Sequence, residues 1–216
     1  MPRIVLASAS PSRRRLLRMV GIEPEIVVSG IDEESDEYQD LSPSELVLAL
    51  AIVKAHTVAT RLLEKSVNEE DRDLIVIGSD STFEFEGQSL GKPGSRENAI
   101  ERCRLVQGRS GVLHTGHCVI DLRTMREYSD IASTRVNFAP MSENEIEAYV
   151  DTEEPLYVAG GFTLDGMSAP FIRSIEGDWS NVIGLSLPLV KDAITSFGYP
   201  WFEVATAGSV LEMGSQ

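Results

Sequence analysis

Ile4-Val5-Leu6-Ala7-Ser8-Ala9-Ser10-Pro11-Ser12-Arg13-Arg14-Arg15-Leu16-Leu17 reads as a short apolar strand, a serine-rich turn and a helix with three arginines in its first turns. Pro11 sits where the first helical residue belongs, since its missing N–H would have no partner there. Ser10 is a natural N-cap. Free amides, the positive end of a helix dipole and guanidinium groups meet at one point, a combination suited to an anion such as phosphate. The same residues also describe a capped surface helix with a solvated basic face. Successive helical arginines point about 100° apart. Arg13, with Ser8 and Ser10, is therefore the expected phosphate contact, Arg14 a further candidate, and Arg15 solvated.

The remaining chain alternates strands and helices, the pattern of an α/β protein with a mixed sheet. Glu23 to Ser29 reads as a second strand leading into an acidic loop, from which Glu33 stands out by lying close to a strand end. Ser42-Pro43-Ser44-Glu45 carries a capping box and starts a long helix. Its apolar stripe runs beside Lys54, a residue that is either solvated or functional. Leu74-Ile75-Val76-Ile77 reads as a strand buried on both faces, ending in Gly78-Ser79-Asp80. Asp80 is a candidate metal ligand or general base; a turn-capping aspartate is the plainer alternative.

Thr82 to Leu90 form a hairpin about Glu86-Gly87, and Gly91-Lys92-Pro93 brings a compact charge of the kind that meets phosphates. Arg96 to Val106 is a helix; Val112 to Asp121 and Arg126 to Phe138 are long strands; Ser142 caps a short helix. His114 and His117, three apart on a strand, face opposite sides and make a poor metal pair. A packed glycine-rich segment, Val158 to Gly166, precedes a last strand over Phe171 to Ile175 and a closing helix over Asn181 to Phe197. Residues 1–199 form a single domain, and 200–216 are expected to be a loosely held tail.

The 216 residues carry 34 acidic and 19 basic side chains, a formal net charge of −15. So acidic a chain repels polyphosphate backbones, which argues against a nucleic-acid-binding face. Any anionic ligand must find a local basic pocket. No uninterrupted apolar run spans a bilayer, and the arginines follow the first apolar run instead of preceding it, the reverse of a signal peptide. With only Cys103 and Cys118, a reducing cytoplasm is expected.

Several motifs then fall in order: Leu6-Ala7-Ser8-Ala9-Ser10-Pro11-x-Arg13, Asp32-Glu33, Leu50-Ala51-x-x-Lys54-Ala55, Gly78-Ser79-Asp80, Gly91-Lys92-Pro93, Ala159 to Gly166, and Ser180 to Leu189. Together they resemble the Maf family over about residues 3 to 198. That resemblance implies a two-lobed mixed sheet flanked by helices with a central cleft, similar to inosine triphosphate pyrophosphatases. It implies cleavage of nucleoside triphosphates to monophosphate and pyrophosphate with a divalent cation, Mg or Mn, usually by homodimers. It further implies phosphate contacts from Ser8, Ser10, Arg13, Lys54 and Lys92, a general base in Asp80, and metal binding by Glu33 with Asp80. Members are also described as inhibitors of septum formation, so a nucleotide-binding regulator of cell division is the rival reading.

Three positions depart from the common family pattern. Ser12 replaces the first arginine of Pro-Arg-Arg, Ser81 stands where threonine is frequent, and Asp165 replaces the loop glutamine. These are the family's specificity positions. Arg, Thr and Gln mark the branch preferring dTTP and UTP, and an acid in the loop resembles the branch acting on 7-methylguanosine triphosphate, although that branch usually carries an aromatic where Ser12 stands. A carboxylate accepts from guanine N1–H and its amine, so a purine or modified-base preference is expected.

Overall fold

In the computed structural model, which describes residues 1–33 and 35–207, β1 (Arg3–Leu6) runs into the serine turn and α1 (Pro11–Met19). Ser10 caps α1 by accepting from the Arg13 amide. Next come β2 (Glu25–Ile26), α2 (Pro43–Lys65), β3 (Leu74–Phe85) and β4 (Gln88–Leu90). They are followed by α3 (Arg96–Val106), β5 (Ser110–Asp121), β6 (Arg126–Phe138), α4 (Glu143–Val150), β7 (Ile172–Glu176), α5 (Trp179–Ile183), α6 (Leu187–Ser196) and α7 (Trp201–Ala207). The expected capping boxes are both present, Ser42 with Glu45 and Ser142 with Glu145.

The strands form one seven-stranded mixed sheet in the order β2-β1-β3-β5-β6-β7, with β4 also on β3. β1 pairs in parallel with β3 from Arg3↔Leu74 to Leu6↔Ile77 and stops. β4 pairs antiparallel with β3 from Phe83 to Phe85. Between them, residues 78–82 have β5 on one side and no strand on the other. This gap divides the sheet into two halves and opens the central cleft.

Helix α2 lies on one sheet face, over β3 and β5, and glycines let it close. A Cβ on Gly78 would fall 2.4 Å from the Ala51 carbonyl oxygen, and one on Gly116 would fall 2.2 Å from that of Val47. By length and composition α2 could cross a bilayer. In this fold it is a core helix, with Val47, Leu50, Ala51, Lys54, Ala55, Val58 and Ala59 buried against the sheet. The opposite face is covered by α1, α6 and α7 around Leu6, Leu17, Ile75, Ile77, Val190 and Ile194. Beyond the gap, Phe83, Phe138 and Phe162 meet edge to face with centroids 5.0–5.8 Å apart.

Arg13 fills the β1 side of the gap. Its buried guanidinium donates from Nε to the Gly184 carbonyl (2.7 Å), from Nη1 to Ser8 Oγ (3.0 Å) and the Ser79 carbonyl (2.8 Å), and from Nη2 to Ser81 Oγ (3.0 Å). One side chain thus joins the serine turn, β3 and the segment between α5 and α6.

Several expectations need correction. The second strand is only Glu25–Ile26, because its partner β1 turns away after Leu6. The strand expected to end at Asp80 continues to Phe85, held by unbroken pairing with β5 from Ile75↔Asp121 to Glu84↔Val112. The closing helix is two helices. Gly184 takes a left-handed conformation at φ +117°, and Ser186 caps a new start with Pro188 in its first turn. The tail expected to be loose over 200–216 is a helix over Trp201–Ala207, with Val204 and Ala205 buried in the core. Residues 208–216 lie outside the described residues.

Gly78→Ala should therefore lower stability by about 1–3 kcal/mol, because α2 must retreat from the sheet. Arg13→Met should lower it by about 3 kcal/mol or more, since four acceptors lose their donor in a buried setting. Urea titration measures both; a midpoint equal to wild type would contradict the packing described.

Candidate active site

Side chains alternate along β3, so Val76, Gly78 and Asp80 face α2 while Ile77, Ser79 and Ser81 face the other way. The close seat of α2 at Gly78 sets Lys54 above Asp80. Lys54 is 6% exposed, and its Nζ lies 2.6 Å from Asp80 Oδ1 and 2.7 Å from Glu33 Oε1. Two carboxylates from distant parts of the chain thus converge on one buried ammonium, at the strand segment that lacks a neighbour. This sharpens the expected position of Asp80, which is not at a strand terminus but mid-strand beside a missing partner.

The serine turn borders the same opening. Ser8 Oγ accepts from the Ser10 amide (3.2 Å) as well as from Arg13. Ser81 Oγ bonds Thr115 Oγ1 (2.9 Å) in addition to Arg13. Burial lowers the pKa of the Arg13 guanidinium, while the charges of Asp80 and Glu33 raise it. With four of its five N–H groups donated to protein acceptors, Arg13 braces the site and keeps one N–H beyond those four bonds. In α1's first turn Arg13 and Arg14 donate to Ser10 Oγ and O and Pro11 has no N–H, leaving the Ser12 amide as the one for a ligand.

Arg14 is not brought to the cleft. It pairs with Glu23, which Arg18 also reaches. Arg15 is exposed as expected, and it pairs with Asp165. Ser12 and Arg15, three apart on α1, share the helix side that meets the loop carrying Asp165. Ser12 itself is half-buried.

Past the unpaired stretch of β3 the chain leaves β4 through Gly91 and Lys92. Lys92 is exposed, and its neighbour Gly91 is tied down where its carbonyl accepts from the Gly160 amide (3.3 Å) and Arg102 Nη1 (3.1 Å). Gly160 and Gly161 both have positive φ, which makes the sharp turn of this packed segment possible. Glu154 holds the loop's shape by accepting from Thr163 Oγ1 (2.6 Å) and the Met167 amide (3.0 Å). Sequence reasoning missed Glu154 and the Arg15 pairing. Helical spacing from Ser12 offered a hint of the second, whereas nothing local marks Glu154.

His114 and His117 behave as structural groups. His114 bonds Glu84 and Ser133. His117 accepts from the Ser186 amide at 2.8 Å, and burial with Arg13's charge pulls its pKa down to about 4, keeping it neutral.

A family model described as "Maf-like protein" matches residues 3–197. A nucleoside triphosphate pyrophosphatase of Streptomyces coelicolor is 50% identical over 196 residues, covering 91% of each chain. One from Salinispora tropica is 48% identical over 201 residues, covering 92% of this chain and 85% of its own. Among solved structures, a HAM1 protein from Coxiella burnetii aligns with TM-score 0.41 and 16% identity over 75% of this chain and 87% of that one. With a match running almost from end to end and relatives half identical to it, the chain belongs to the Maf-like protein family.

Proposed function

We propose that this chain is a nucleoside triphosphate pyrophosphatase, hydrolysing the bond between the α-phosphorus and its bridging oxygen to release nucleoside monophosphate and pyrophosphate. The observation that carries the reading is the Lys54 ammonium clasping Asp80 and Glu33 beside the unpaired stretch of β3. The activity named for relatives at 48–50% identity supports it.

Asp80 is the general base in this reading. Lys54 occupies Oδ1 and orients the carboxylate, leaving Oδ2 to take a proton from the attacking water. Lys92, tethered through Gly91 but free at its tip, meets the leaving pyrophosphate. The Ser10–Ser12 turn offers its helix N-terminus to the phosphates.

A hard divalent cation, Mg or Mn, fits this donor set. Two carboxylates brought to one point is the kind of site such ions take, and Asp80 with Glu33 would hold it. When bound, the cation offsets charge that builds on the phosphate oxygens. Lys54 already holds the two carboxylates together without it.

Asp165, given above as a specificity position, is paired in the folded chain. Paired with Arg15, it keeps an acceptor for a base N–H, while Arg15 has donors for an adjacent carbonyl. Guanine, uracil and thymine all present that edge, so the expected purine preference widens to bases carrying N–H beside C=O. The same reading takes the protein as a cytoplasmic homodimer.

Asp80→Asn should cut kcat on the order of 10²–10⁴-fold while leaving nucleotide affinity close to wild type. Pyrophosphate release and equilibrium binding, measured on one preparation, separate the two effects; full activity in the variant would refute the assignment. Lys92→Ala should lose activity with its unfolding free energy held within about 0.5 kcal/mol of wild type, because the side chain is exposed.

A further inference from the structure

On the α2 face of the sheet, away from Asp80, three side chains from three elements converge. His56 comes from α2, Cys118 from β5 and Glu127 from β6, and their ligating atoms all lie within 4.8 Å of one another. His56 Nε2 is 2.8 Å from Glu127 Oε2. Ser129, directly opposite Cys118 in the β5–β6 register, donates to Glu127 Oε1 at 2.8 Å. The buried Cys118 thiol is itself within hydrogen-bonding reach of Ser129 and Glu127.

We propose that His56, Cys118 and Glu127 form a second cation site, selective for a borderline-soft divalent ion of the zinc class. Metal–nitrogen and metal–oxygen bonds of about 2.0–2.2 Å and a metal–sulfur bond of about 2.3 Å set tetrahedral ligands roughly 3.5 Å apart. The observed spacing reaches that with side-chain adjustments alone. One imidazole, one thiolate and one carboxylate favour zinc, cobalt or cadmium over magnesium. This distinguishes the site from the all-oxygen pair Asp80 and Glu33.

His56 and Glu127 are partly solvent-exposed, with side chains 54% and 36% accessible, whereas Cys118 is fully buried. The ion enters from the solvent side and leaves its fourth position to water. Without a cation, burial pushes the Cys118 thiol up to about 12, so it stays protonated. On binding, the thiol proton passes to water as the sulfur–metal bond forms, and the His56–Glu127 hydrogen bond gives way to two metal–ligand bonds. Ser129 remains on the other carboxylate oxygen and orients it, the part that outer-shell partners play in metal sites. The occupied site pins α2, which carries Lys54 two residues earlier, to β5 and β6.

The test uses the full chain, stripped with a chelator and kept reduced, and titrated with Co2+. The expected result is a thiolate-to-cobalt absorption band with the strong visible bands of tetrahedral coordination, saturating at one ion per chain and displaced by Zn2+. His56→Ala, an exposed substitution that spares the core, should abolish those bands, as should Cys118→Ser. Ser129→Ala should weaken binding roughly tenfold or more. Cys103→Ser and Asp80→Asn should leave the bands intact. Absence of a thiolate band in wild type, or its survival in His56→Ala, would overturn the proposal.

Discussion

A buried guanidinium at Arg13 is the interaction on which the rest of this structure depends. A charge removed from water must find partners for its donors, and here the partners come from three regions far apart in sequence: Ser8, the β3 pair Ser79 and Ser81, and the Gly184 carbonyl. The demand is reciprocal. The Ser79 carbonyl lies on the strand stretch without a second neighbour, and without Arg13 it would face the cleft unpaired. The gap in the sheet and the arginine that stabilises its margin are two halves of one arrangement.

The candidate chemistry occupies what Arg13 leaves open. Alternation along β3 sends Ser81 to Arg13 and Asp80 to the opposite face, so the Arg13 scaffold and the carboxylate–lysine cluster are separated by the thickness of one strand. Gly78 then acts at a distance of two residues: by admitting α2 against the sheet, it sets the height of Lys54 over Asp80.

Much of this was legible in the sequence because its signals are local. The Ser10-Pro11 and Ser42-x-x-Glu45 caps, the hairpin at Glu86-Gly87 and the aliphatic run before Gly78 each encode their structure within a few residues. The motif order likewise brought Asp80, Lys54 and Glu33 forward as candidates. What escaped the reading was set by tertiary partners. The length of β3 comes from β5, the break at Gly184 from a left-handed turn and a fresh cap, and the helix at 201–207 from an apolar site that only the assembled core provides. That Arg13 is braced by four protein acceptors could not be read from residue type, which cannot tell a cation facing a cleft from one facing backbone carbonyls. The pairing of Asp165 was out of reach because its partner Arg15 lies 150 positions away.

The unpaired stretch of β3 has one more consequence, concerning association with other chains. An outer sheet edge offers a template on which a foreign strand can add, and proteins commonly defend it with charge, proline or distortion. Residues 78–82 form an inner edge, flanked by β1 at one end and β4 at the other. Such a slot is too short for a strand to register. Backbone groups that would be an aggregation hazard on a perimeter are enclosed here between two paired ends of the same strand, and Arg13 takes the Ser79 carbonyl among them.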